Sequence, residues 1–223
     1  MENREIHRLE MKSISYRYGR KENSRFILQN ATYIFESGKM YAILGKSGVG
    51  KSTTLALLGS LDLPQEGEIL YDGRNIREIG FEKYRKHVVS IVFQDYNLLP
   101  YLNGYENVAL VTKKKYGRQK IEGFLKAVGI DEKTARRNVR KLSGGEQQRI
   151  AMARALAMDS KMILADEPTG NLDLETADEI IEILFRLAHD DGKCVIVVTH
   201  TLGLAERADV VLKLKEGRLE EQS

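Results

Sequence analysis

With 35 basic against 32 acidic side chains in 223 residues, the chain carries a net charge of only +3, which excludes the concentrated positive field of a nucleic-acid binder. The length suits one large domain with a substantial core, and the single cysteine, Cys194, excludes an intrachain disulfide and reads as a small core residue in a reducing compartment. No apolar stretch approaches a bilayer span and the N-terminus lacks a signal-peptide apolar region, so a cytoplasmic chain is expected, touching a membrane only through a partner.

In chain order, residues 6–18 mix charged with β-prone side chains and predict edge strands, residues 20–24 a turn, and residues 31–35 another strand. Ser37-Gly38 turns the chain into Met40-Tyr41-Ala42-Ile43-Leu44, an apolar run of buried-strand length. There follows Gly45-Lys46-Ser47-Gly48-Val49-Gly50-Lys51-Ser52-Thr53, the pattern G-x-x-x-x-G-K-[ST] between a strand-like and a helix-like segment. Its glycines let the backbone wrap closely and turn N–H groups inward as an anion-binding nest, and the next helix adds its own unsatisfied N–H groups. Lys51 can reach the outer phosphates as a point charge, and the Ser52 hydroxyl can ligate magnesium. A flexible glycine turn is the bland alternative, and the strand and helix flanks with the Lys-Ser pair speak against it. Nucleotide binding is the first expectation.

Beyond the first helix, Pro64 and Gly67 mark a loop, and residues 68–71 a strand closed by the Asp72-Gly73 turn; the early strands suggest an antiparallel sheet beside the nucleotide-binding core. Residues 88–93 form a short buried strand ending at Gln94. From there to about Asp159 the pattern is helical, with Ile121, Phe124, Leu125 and Val128 on one face and residues 150–158 apolar nearly all round. Lys113-Lys114-Lys115 reads as a solvated edge. Two apolar strands, 162–165 and 195–198, flank an amphipathic crossover helix marked by Ala177, Ile180, Ile181, Leu184, Leu187 and Ala188, which argues a parallel sheet with helices on its faces. A strand at 210–214, a turn at Gly217 and a short polar tail close the chain.

Asp166 and Glu167 stand at the C-terminal end of a buried strand, where open α/β sheets place their ligand sites. Asp166 is placed to hold magnesium, directly or through water, and Glu167 to orient or deprotonate an attacking water. A strand ending in solvated acids is common; after a phosphate loop the pair means more. His200 ends the next apolar strand and could contact a γ-phosphate, while His7, His87 and His189 have no such setting and read as structural or surface residues. Ser143-Gly144-Gly145-Glu146 has a capping-box pattern before an apolar helix, which alone means only a well-capped helix. Yet its glycines expose backbone N–H groups at a second helix N-terminus. One triphosphate can use both termini only if they face each other, as from two copies of the chain.

Taken together, these residues resemble the nucleotide-binding subunit of an ATP-binding cassette transporter. Ser143-Gly144-Gly145 is similar to that family's signature motif, Asp166-Glu167 to its Walker B, Gln94 to its Q-loop, His200 to its switch histidine and Asn171-Leu172-Asp173 to its D-loop. Tyr18 resembles the aromatic residue that stacks on adenine, with Tyr16 as the competing candidate. The match covers nearly the whole chain, in the family's order. Phe93-Gln94-Asp95-Tyr96-Asn97-Leu98-Leu99-Pro100 and Pro168-Thr169-Gly170-Asn171-Leu172-Asp173 resemble the macrolide-exporter, lipoprotein-release and bacteriocin-export branch; Thr201 and Glu146 depart from the Asp and Gln frequent at those positions.

The resemblance implies an α/β fold: a P-loop nucleoside triphosphate hydrolase core with a mainly parallel sheet, an N-terminal antiparallel β subdomain and an inserted α-helical subdomain at about 95–159, all within one domain, 1–223. It implies ATP and Mg2+ as ligands, with Ser52, Gln94 and Asp166 toward the metal. Residues 45–53, Gln94 and Tyr18 would bind ATP, as would Ser143, Gly144, Gly145, Glu146 and Asp173 reaching a second subunit's site. Glu167 and His200 would be the catalytic groups. It further implies a homodimer that sandwiches ATP, an integral-membrane permease as partner, no nucleic acid, and a place on the inner face of the cell membrane. A soluble cassette ATPase of the chromosome-maintenance or DNA-repair type is one rival; the segment between Lys51 and Ser143 is too short for the coiled-coil insertion such proteins need. A nucleotide-gated regulatory module without turnover or a transport partner is the other, and the intact Glu167 and His200 argue against it.

Overall fold

The chain opens with two long strands, β1 (Arg8–Arg17) and β2 (Phe26–Glu36), and then the short buried β3 (Met40–Leu44). The phosphate loop leads into α1 (Lys51–Leu58). After it come β4 (Glu66–Tyr71), β5 (Arg74–Asn75), the short helices α2 (Ile76–Ile79) and α3 (Phe81–His87), and β6 (Val89–Val92). Helices then dominate: α4 (Gly104–Thr112), α5 (Arg118–Ala127), α6 (Glu132–Ala135) and α7 (Gly144–Ala157). The remainder alternates β7 (Met162–Asp166), α8 (Leu174–His189), β8 (Cys194–Thr199), α9 (Leu202–Glu206), β9 (Val210–Lys215) and β10 (Arg218–Glu221). The computed structural model describes residues 5–19, 25–112, 115–170 and 172–222; the turn expected at 20–24, Lys113, Lys114 and Asn171 lie outside them.

Side-chain alternation along the central strands sets the layering. Met40, Ala42, Ile163, Ala165, Val195 and Val197 join one core cluster with the apolar faces of α7 and α8. Tyr41, Ile43, Leu164, Cys194, Ile196 and Val198 join the other, with α1 and the antiparallel strands. Successive side chains on a strand point to opposite faces, so strands covered on both faces must be apolar throughout. The Cys194 thiol is buried and its pKa is pushed well above the ordinary range by that burial.

The antiparallel sheet has the order β2-β1-β4-β5, and the other sheet β10-β9-β3-β8-β7-β6. In the second, β9, β3, β8, β7 and β6 run parallel and β10 pairs antiparallel with β9. The fold is thus the α/β nucleoside triphosphatase fold that the motifs imply. Register brings the functional strand ends together: Leu44 pairs with Thr199 and Asp166 with Val198. Gly45, Glu167 and His200 therefore leave three adjacent parallel strands at one end of the sheet, where such sheets bind ligands.

Some expectations need correction. β2 begins at Phe26 rather than at residue 31. Gly67 lies inside β4, not in a loop; its φ is 84°, and a Cβ there would stand 2.3 Å from the Ser13 carbonyl oxygen, so close backbone approach to β1 demands the glycine. The polar tail is the edge strand β10, tied to β2 where the Tyr33 hydroxyl donates to Glu221 at 2.6 Å. Charged residues suit an edge strand that must not template further pairing.

His189 closes α8 against the start of β3. Its ring stacks on Phe185, Nδ1 meets the Phe185 carbonyl at 2.9 Å and Nε2 meets Asp209 at 3.0 Å, while the other Asp209 oxygen accepts from the Met40 amide at 2.7 Å. Burial pulls the imidazolium pKa down, but the Phe185 carbonyl and the Asp209 carboxylate outweigh it, and the pKa lies above the ordinary value. A raised folded pKa means stability that is full below the unfolded value, about 6.5, and is lost as pH rises through the folded value. Thermal melting of His189→Asn is expected to lack the decline that the parent shows across that window; identical pH profiles would remove His189 as its source.

Candidate active site

The loop between β3 and α1 is shaped by its glycines. Gly50 caps α1 at φ 116°, and a Cβ there would lie 2.3 Å from the Ile27 side chain. Gly48 also has positive φ, 73°. With these backbones admitted, the N–H groups at the start of α1 stay open toward a cavity of about 560 Å³. Tyr18, Ser47, Gly48, Gly50, Lys51, Ser52, Thr53, Gln94, Glu167 and His200 all line it, whereas Gly45, Lys46, Val49 and Asp166, also anticipated, do not. Ile27 lines it too; an ordinary strand isoleucine offered no signal in sequence.

Charge is concentrated at the deep end. Lys51 is only 7% exposed, donates to the carbonyls of Gly45 at 2.9 Å and Lys46 at 3.4 Å, and stands 3.7 Å from Glu167 Oε1. Glu167 Oε2 lies 2.9 Å from His200 Nδ1 and 3.3 Å from the His200 amide, which donates to it. Glu167 itself takes a left-handed backbone, φ 44°, with its amide donating to the Val198 carbonyl at 3.0 Å. A glutamate held in that region costs roughly 1–2 kcal/mol, and such outliers concentrate at functional sites. Beside it, the Ser52 hydroxyl donates to Asp166 at 3.0 Å. Burial pushes the Asp166 carboxyl above the usual carboxylate range, opposed by the Ser52 hydrogen bond, reinforced by the Glu167 charge and opposed again by Lys51.

Tyr18 and Tyr16 separate clearly. Tyr16 is buried, and its hydroxyl donates to Asp62 at 2.5 Å; burial and that bond push its pKa up to about 12. Tyr18 is 60% exposed, lines the cavity and shares a 2.9 Å hydrogen bond with Thr53. Of the two, Tyr18 is the one whose ring is exposed at the cavity.

Ser143, Gly144, Gly145, Glu146 and Asp173 do not line this cavity. Ser143 caps α7 through a full capping box: its hydroxyl accepts from the Glu146 amide at 3.2 Å, and its amide donates to the Glu146 carboxylate at 2.7 Å. A Cβ on Gly145 would lie 2.5 Å from Thr176 Cγ2. Thr176 in turn bonds Asp173, the cap of α8, through its amide at 3.0 Å and its hydroxyl at 2.9 Å. Those bonds hold the Asp173 carboxyl below its usual range. The two capped helix termini therefore pack together on a surface of their own.

A family model described as ABC transporter matches residues 28–170, more than half of the chain. The chain belongs to the ABC transporter family. This cassette is 44% identical over 214 residues to the uncharacterized ABC transporter ATP-binding protein YclH of Bacillus subtilis (strain 168), covering 94% of each. Its fold matches the dimeric structure of MJ0796, a bacterial ABC transporter cassette, with a TM-score of 0.88 at 36% identity over 96% of this chain and 98% of that one. MJ0796 has also been solved as a dimer in a post-hydrolysis state bound to ADP and Pi. The macrolide export ATP-binding/permease protein MacB 2 of Aeromonas hydrophila is 37% identical over 96% of this chain, which spans 34% of that protein. The chain is an ABC ATPase that binds ATP. Among its described residues no helix is long and apolar enough to cross a membrane.

Proposed function

We propose that this ABC ATPase closes on ATP with a second copy of itself and drives a separate integral-membrane permease, from the inner face of the cell membrane, in export or mechanotransmission of a peptide, lipoprotein or antibiotic. The observation that carries the reading is the divided site. The cavity holds groups for phosphate binding and hydrolysis, while Ser143 caps, and Gly144 and Gly145 begin, a helix outside its wall. A second copy, facing the first, supplies them. The dimeric MJ0796 structures and the joined ATP-binding and permease parts named in MacB 2 support this arrangement and its branch.

Within one site, the loop amides and Lys51 bind the phosphates, and Tyr18 stacks on the base. Glu167 takes a proton from the attacking water, and His200, already beside that carboxylate, steadies the γ-phosphate. Ser52 and Asp166 fit magnesium: a hydroxyl and a carboxylate already adjacent, the latter with a pKa raised by burial against the opposing effects of Ser52 and Lys51. With Gln94 they would hold the ion, whose charge offsets that developing on the phosphates.

Ser143→Arg tests the shared site. ATP affinity should hold, because Ser143 is not in the cavity wall, while ATP-dependent dimer by sedimentation and hydrolysis should both fail. A dimer that persists, or ATP affinity that collapses, would count against the shared site. Co-purification with an integral-membrane product of a neighbouring gene tests the permease.

A further inference from the structure

The side chains of Tyr16 and Thr53 take no part in the steps above, yet both touch Tyr18, which stands just past the end of β1. The backbone under Tyr18 is fixed first: the Gln65 side-chain amide accepts from the Arg17 backbone N–H at 2.8 Å and donates to the Arg17 carbonyl at 2.8 Å. On one side the Tyr18 ring meets that of Tyr16 in an edge contact, with centroids 5.3 Å apart and planes at 89°. Tyr16 is itself held, being buried and bonded through its hydroxyl to Asp62. The Tyr18 hydroxyl shares its 2.9 Å hydrogen bond with the Thr53 hydroxyl. Thr53 lies buried in the first turn of α1, and among the described residues its hydroxyl makes no other hydrogen bond.

An exposed tyrosine at a strand end ordinarily exchanges between rotamers, and a ligand that stacks on it must stop that motion at a cost. Here the exposed ring is held at its root, on one side and at its tip. Edge contacts are a favoured geometry between aromatic rings, and one takes up at most a single face, so a face of Tyr18 remains for a base. Thr53 directly follows Lys51 and Ser52, so its bond also fixes the ring relative to the groups that hold the phosphates. A ligand with a base at one end and phosphates at the other gains when both are set in advance.

We propose that Thr53 and Tyr16 are positioning residues that set the Tyr18 ring for the base before ATP arrives, Thr53 through its hydroxyl and Tyr16 through its ring. The Tyr18 hydroxyl thereby adds affinity that an untethered ring does not give. The gain belongs to ligands that carry a base; a polyphosphate without one draws nothing from it. The inference rests on the reading of Tyr18 as the residue that stacks on the base.

The test uses the full chain in a Ser143→Arg background, where binding is not linked to pairing, with equilibrium titration of ATP and of inorganic tripolyphosphate. Tyr18→Phe keeps the ring and Thr53→Val keeps the branched shape, and each removes one end of the bond. Each should weaken ATP about three- to tenfold, the cost of ordering one side chain, and leave tripolyphosphate binding as it was. The double variant should bind ATP no more weakly than either single one. Tyr16→Leu should weaken ATP in the same selective way and Tyr16→Phe should restore most of the loss, with thermal melts to show that both fold; the cycle between Tyr18 and Thr53 stands without them. In the otherwise native chain the loss should fall on KM rather than kcat. Equal losses for ATP and tripolyphosphate would put the Thr53 hydroxyl on the phosphates and overturn the inference. Additive losses in the double variant, or tighter ATP binding by Tyr18→Phe, would also overturn it, and a folded but silent Tyr16→Leu would remove the part given to Tyr16. Tyr18→Ala separates the two claims, since lost stacking should weaken ATP about tenfold or more. Unchanged affinity there removes Tyr18 from the base, whereas a loss there with Tyr18→Phe and Thr53→Val silent removes only the positioning.

Discussion

Glu167→Gln is expected to lower hydrolysis by about 10²- to 10⁴-fold, the usual contribution of general acid–base catalysis, while ATP still binds. The substitution keeps volume and shape, so the left-handed backbone at Glu167 and the amide bond to Val198 have no reason to change. The glutamine oxygen can still accept from the His200 amide, which meets the carboxylate at 3.3 Å. What disappears is the oxygen that can take a proton from water. The new amide group would also face Lys51, now 3.7 Å from the carboxylate, donor toward donor; phosphates that draw the ammonium away relieve that conflict. Binding should thus survive and closure should not be followed by reopening, so ATP should hold a stable dimer. Steady-state phosphate release, equilibrium ATP binding and sedimentation with ATP give the three readouts. Ordinary turnover in Glu167→Gln would remove the base assignment, whatever the dimer does.

Much of the fold and many of the site candidates were legible because their physics is local. β3, β7 and β8 are covered on both faces and so had to be continuous apolar runs. The phosphate loop needs glycines at fixed offsets, and Gly48 and Gly50 do take positive φ. Other features depend on distant neighbours and left no pattern. β10 looked like a tail because an edge strand with Arg218, Glu220 and Glu221 has no apolar alternation to read. Gly67 resembled turn punctuation, yet the requirement comes from the Ser13 carbonyl across the sheet. Gly145 reads as part of a phosphate-binding turn, and the packing of Thr176 against it, which a Cβ would have to displace, left no mark in the sequence. The choice between Tyr16 and Tyr18 rested on burial, which two nearby tyrosines do not announce.

Lys51→Ala is expected to reduce ATP affinity by about 100-fold or more. Hydrogen bonds to charged groups contribute about 1.5–3 kcal/mol each, and Lys51 can offer more than one to a polyphosphate. Its burial, at 7% exposure, means that water cannot easily take its place. The loss is compounded by what remains, since Asp166 and Glu167 would face the incoming phosphates without that cation. The folded state should change less, because the Gly45 and Lys46 carbonyls lose a donor but lie beside a cavity that water can enter. Titration with a fluorescent ATP analogue measures the affinity, and a thermal melt without nucleotide measures the fold. Weak binding with a near-parent melt places Lys51 on the phosphates. Equal losses in both would instead make it a strut of the loop, and unchanged affinity would remove it from the phosphate site altogether.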